Sequence, residues 1–164
     1  MSYREARRQA AAANKHLDLG QQPTLATIQN AVETFRNRAI RIDEVPGLRR
    51  GEICGFWLVM EDEDRILHAS TRSAWHRQQI ILHEFSHMLL GHGTSATATG
   101  LPGTGLLGIG LPFLGTPLKI LGRSSFHDND EVAAETLADL LARRIIKGQA
   151  PVTEEPLGFR DVFG

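Results

Sequence analysis

The chain of 164 residues holds a single cysteine, Cys54. That excludes an internal disulfide framework and a Cys-rich zinc module. Neither sign of charge dominates: 18 Lys and Arg stand against 19 Asp and Glu, a formal net charge of −1. Direct binding to nucleic acid, or to a membrane surface through bulk charge, is therefore not expected. The stretch from Met1 to Leu17 is rich in Ala and Arg and lacks the apolar core of a signal peptide. With one thiol and no export signal, a reducing cytoplasm is the expected location. Formal charge is missing altogether from one long stretch, with no Asp, Glu, Lys or Arg from Phe85 to Leu118. Nine of the sixteen Gly and three of the seven Pro fall between Gly91 and Gly122. The segment from Leu101 to Leu121 has the length of a membrane span. Inside a helix, however, each Pro costs about 3 kcal/mol and each Gly about 1 kcal/mol relative to Ala. Residues 91–127 therefore read as a Gly-rich inserted loop lying on the protein, and no membrane association is expected.

What remains is ordinary for one globular domain over residues 1–150 with a tail at 151–164. Residues 1–38 carry two helices, separated at Gln21-Gln22-Pro23, with Thr24 capping the second. Ala39 to Val45, Ile53 to Met60 and Arg65 to Ala69 read as strands. The run Glu61-Asp62-Glu63-Asp64 reads as a solvated hairpin turn. Ser73 caps a helix that runs to about Leu90, and Asp128 starts a long one that ends at Lys147-Gly148, with Gly148 beyond its last turn. The expected class is α+β: a short three-stranded sheet, antiparallel or mixed, packed against helices.

The chemistry lies in His83-Glu84-Phe85-Ser86-His87. Histidines four apart share a helix face and can bind one Zn²⁺ together. Glu84, beside the first of them, is placed to take a proton from a water. Ile81, Leu82, Phe85, Met88 and Leu89 form an apolar set that leaves the two histidines out. Two solvated surface histidines would satisfy the same pattern, so a third ligand matters. Glu135, on the following helix, can supply it, and Asp139 one turn later can fix a ligand His by a hydrogen bond. Asp128 and Glu131 resemble a capping box at the start of that helix. A third histidine at position 93, which the HExxHxxGxxH arrangement requires, is absent. Cys54 lies in a segment that does not match a Cys-ligand motif and reads as a buried strand thiol. His127 or Arg123 could reach the cleft and stabilise an oxyanion, whereas His92 reads as the end of its helix.

With Ile80 to His92 and Glu135-Thr136-Leu137-Ala138-Asp139 in hand, the chain resembles the ImmA/IrrE family of zinc metallopeptidases over about residues 40 to 147. The resemblance implies a small metallopeptidase domain in which an HExxH helix is followed by a Glu-bearing helix. It implies Zn²⁺ held by His83, His87 and Glu135, with Glu84 as general base. It also implies a protein substrate, a helix-turn-helix transcriptional repressor that is cut at a specific site. The alternative is a zinc-binding regulatory protein that holds its partner without cleaving it. The His87-to-Glu135 spacing is longer than the family's because the Gly-rich stretch intervenes. That stretch is expected to pack over or beside the cleft as a lid.

Overall fold

A computed structural model describes residues 1–46, 48, 55–94 and 117–149. Cys54, the Gly-rich core of the inserted stretch and the tail at 151–164 lie outside the described residues, and so do the expectations of a strand thiol and a lid.

Helix α1 (Tyr3–His16) begins with a capping box, in which Ser2 and Glu5 each satisfy the other's backbone N–H. Helix α2 (Leu25–Arg36) is capped by Thr24 and ends on Asn37, a residue in the left-handed region that stops the helix. Strands β1 (Ala39–Val45), β2 (Gly55–Val59) and β3 (Glu63–Ala69) follow. Helix α3 (Ala74–Leu89) is capped by Ser73. A short strand β4 (Lys119–Leu121) precedes α4 (Asp128–Gln149). The described residues thus form an α+β architecture of four helices and one mixed four-stranded sheet, in the order β1-β3-β2-β4. β1 runs parallel to β3, while β2 is antiparallel to both β3 and β4.

The fourth strand is a correction to the three-stranded expectation. β4 is three residues long at the end of a Gly- and Pro-rich stretch, too short to show the alternation by which strands are read. It exists because its backbone completes the ladder of β2, with Trp57 opposite Leu121 and Val59 opposite Lys119. β2 itself is buried on both faces. Trp57 joins Ile40, Ile66 and Leu121 in the core under the helices, while Phe56 and Leu58 join Leu67 and Ile120 on the other face. An unbroken apolar run is what such a strand requires.

Two further expectations change. Asp64 is fully buried, not solvated, and is held by Arg36 and Arg38 from the end of α2. A buried carboxylate needs such partners. Gly148 lies inside α4, which runs one residue further. A Cβ there would sit 3.0 Å from the Cα of Gln22, so its value is close packing rather than capping.

α3 is the central element. Ile81, Leu82, Phe85 and Met88 are fully buried in the main core together with Leu137 and Leu141 of α4. Ala134, Ala138 and Ala142 of α4 are buried as well. These small residues let the two helices approach closely, so that polar side chains on the α3 face toward the start of α4 meet those of α4's first turn. The Arg144 guanidinium anchors the far end of α4 by donating to the carbonyls of Asn14 and Leu17. Among the described residues, no helix is long and apolar enough to cross a membrane.

Candidate metal centre

His83 and His87 stand one turn apart on α3, and their Nε2 atoms lie 3.1 Å from each other. Glu131, in the first turn of α4, faces both. One carboxylate oxygen is 3.4 Å from His83 Nε2 and the other is 3.3 Å from His87 Nε2. The three side chains form a group able to hold a metal ion. Bonds of about 2.0–2.1 Å in a regular tetrahedron put ligand atoms about 3.3–3.4 Å apart, so the observed triangle has the size such an ion needs. Both oxygens of Glu131 are buried without a well-formed hydrogen bond, a costly state for a carboxylate unless a cation is its partner. The donor set of two imidazoles and one carboxylate suits Zn²⁺ and leaves one tetrahedral position open.

The protonation states agree. Burial pushes the His87 imidazole down to about 4, against the pull of Glu131. Burial acts to raise the Glu131 carboxyl, but the facing His83 and His87 outweigh it and hold Glu131 at about 2. The N-terminal end of α4 adds a favourable field for that negative charge. Near neutral pH the pair is therefore a neutral imidazole and a carboxylate, the forms that bind a cation. Burial also acts to lower His83, but Glu131 and Glu84 overcome it and raise the imidazole above its ordinary value.

The acid that the structure brings to the two histidines is thus Glu131, where the sequence reading expected Glu135. Glu135 lies one turn further along α4, with a side chain 56% exposed and 3.7 Å from Arg123. The sequence pattern suggests a capping role for Glu131, but its carboxylate turns to the histidines instead. The sequence does carry a signal: Glu131-x-x-Ala134 repeats the Glu-x-x-Ala pattern of Glu135-x-x-Ala138 four residues earlier. Asp139 lines the cleft wall beyond Glu135. Among the described residues no hydrogen bond joins Asp139 to either histidine. His127 is exposed and does not line the cleft. Its backbone carbonyl starts α4 by accepting from the N–H groups of Asp130 and Glu131. Arg123 does line the cleft, 3.9 Å from Glu131.

Glu84 is buried and lines the same cleft of about 270 Å³ as His83 and Glu131. Burial pushes its carboxyl up to about 7; His83 opposes this and Glu131 adds to it. A carboxyl that titrates near neutrality is suited to passing protons. Gly55, at the start of β2, makes the room. A Cβ there would sit 2.9 Å from Ile80 Cγ2 and 3.2 Å from Glu84 Oε1.

Behind the histidines lies a residue to which sequence reasoning assigns only a helix end. His92 is buried, and its Nδ1 is 2.9 Å from Nδ1 of His87. Phe126 stacks on the His87 ring at 3.7 Å between centroids, with planes 15° apart.

In comparisons with known proteins, no family model matches the chain, and no curated protein or solved structure matches it significantly.

Proposed function

We propose that this protein is a zinc-dependent endopeptidase, with His83, His87 and Glu131 holding the metal and Glu84 acting as general base. The observation that carries the reading is the ligand-sized triangle of His83, His87 and Glu131, opening into one cleft with a buried carboxyl that titrates at about 7. Bound Zn²⁺ would supply a Lewis acid and make a water acidic near neutral pH. Glu84 accepts a proton from the attacking water and passes it to the leaving amine. His87 and Glu131 stay in their unprotonated forms throughout. A protein that only held a partner would gain nothing from burying Glu84 at a cost to its own stability, which favours catalysis over simple binding.

The substrate we propose, on the resemblance to the ImmA/IrrE family, is a helix-turn-helix repressor. The test is incubation of the zinc-loaded protein with the repressor encoded nearest to it, beside the Glu84→Gln variant. Cleavage is expected from the first and not from the second, with zinc content equal in both. Cleavage by Glu84→Gln at the wild-type rate would remove Glu84 from its role.

A further inference from the structure

We propose that His92 is a positioning residue that fixes the proton and the ring orientation of His87, with the nearby Asp130 carboxylate favouring that arrangement electrostatically. The inference rests on the metal-centre reading. His87 turns Nε2 toward His83 and Glu131, and Nδ1 toward His92 at 2.9 Å. One nitrogen of that Nδ1–Nδ1 contact must donate and the other accept. If Nε2 of His87 offers its lone pair to a metal, the proton of the neutral ring sits on Nδ1, so His87 donates and His92 accepts. The remaining proton of a neutral His92 then lies on Nε2, which faces the Asp130 carboxylate at 3.6 Å. This arrangement of protons satisfies the His87–His92 contact, leaves the metal-facing nitrogen bare and turns the His92 N–H toward the Asp130 carboxylate.

The fold has gone to some length to bring His92 back to this place. α3 ends at Leu89, and Gly91 has φ of +72°, a conformation L side chains rarely adopt. The reversal folds the following short 3-10 turn (His92–Thr94) back toward His87. Gly93 then lies flat on the Trp57 ring, where a Cβ would come within 2.3 Å of a ring carbon. Lys119 Nζ donates to the Gly93 carbonyl at 3.2 Å, tying the turn to β4. Asp130 comes from the same first turn of α4 that carries Glu131. The metal-ligating acid and the acid behind the histidine pair are thus neighbours in sequence, one directed to each side of His87.

The experiment measures zinc affinity by competition with a chromophoric chelator, in wild type, His92→Leu and His92→Asn. Leu keeps the bulk and removes the acceptor. Asn can place its Oδ1 where the imidazole Nδ1 stood and accept the same proton. His92→Leu is expected to lose roughly 10- to 100-fold in affinity, as lost outer partners of ligand histidines do, and His92→Asn is expected to recover most of it. Imidazole ¹⁵N NMR of the zinc-loaded protein supplies a second readout that needs no variant to fold. The expected tautomer of His87 carries its proton on Nδ1. Wild-type affinity in His92→Leu, an equal loss in both variants, or a proton on Nε2 of His87 would each overturn the proposal. A wild type that takes up no zinc would instead remove the metal centre itself, and this proposal with it.

Discussion

Glu84 should be a liability to the metal-free fold, by an amount that depends on pH. Its carboxyl ordinarily titrates near 4.5 and is pushed up to about 7 by burial. The folded state therefore binds this proton more tightly than the unfolded state does. Below about 4.5 both states are protonated and the group costs nothing. As pH rises toward 7 the unfolded chain ionises while the folded chain holds its proton, and stability falls; above 7 the loss is complete. At about 1.4 kcal/mol per pH unit, the full loss is about 3 kcal/mol. The attraction of His83 for the carboxylate is already included in that shift.

Glu84→Gln keeps the shape and removes the titration. In chelator-treated protein, the variant's advantage over wild type should grow by about 3 kcal/mol between pH 4.5 and pH 8. Measured by melting, that is roughly 6–12 °C for a chain of this size. The buried amide of Gln has hydrogen-bond costs of its own, but these are nearly the same at both pH values, so the difference between pH values is the quantity to read. Urea or thermal denaturation at the two pH values measures it. A difference between variant and wild type that does not change with pH, or that shrinks as pH rises, would refute the reasoning. In the proposed mechanism, the stability surrendered at Glu84 is the cost of holding a proton-transfer group out of water.

Glu131→Ala should lose zinc by more than the 10- to 100-fold that a lost outer partner costs, while Glu135→Ala retains it; metal analysis after dialysis decides, and the reverse pattern would restore Glu135 as the ligand. Gly55→Ala should fold with a loss of about 1–3 kcal/mol from overpacking against Ile80 and should displace Glu84, so that cleavage falls while zinc content stays at the wild-type level. Asp64→Ala leaves Arg36 and Arg38 without their shared buried carboxylate. Breaking such a pair costs about 3–5 kcal/mol, and the lower end is expected because both arginines keep contact with water; a chemical-denaturation midpoint unchanged from wild type would show the cluster contributes nothing.

The parts of the site that lie within one helix are legible in the sequence. Histidines at positions 83 and 87 must share a face of any helix they occupy, and the apolar residues around them show which face that is not. Ser73 as the cap and Asp128 as the start of the last helix are equally local. The proposed third ligand is of another kind. Glu131 and Glu135 differ by one turn on the same helix, and each is followed by Ala three residues on, so nothing within α4 prefers one over the other. The choice is made by how far α4 slides along α3. Ala134, Leu137 and Leu141 set that position, buried in the same interior as Phe85 and Met88. Arg144 and the loop after α1 set it again, far from the site. The role of His92 is hidden from the sequence for a similar reason, since its return to His87 depends on a left-handed Gly91 and on Trp57, far earlier in the chain. A dependence of this kind has a consequence for engineering the site. Shifting α4 by one turn would exchange Glu131 for Glu135 as the acid facing the histidines. It would also carry Asp130 away from His92 and bring Ala134, which has no carboxylate, into its place. The register that supplies the ligand and the register that supports the histidine behind it are one and the same, so neither can be moved alone.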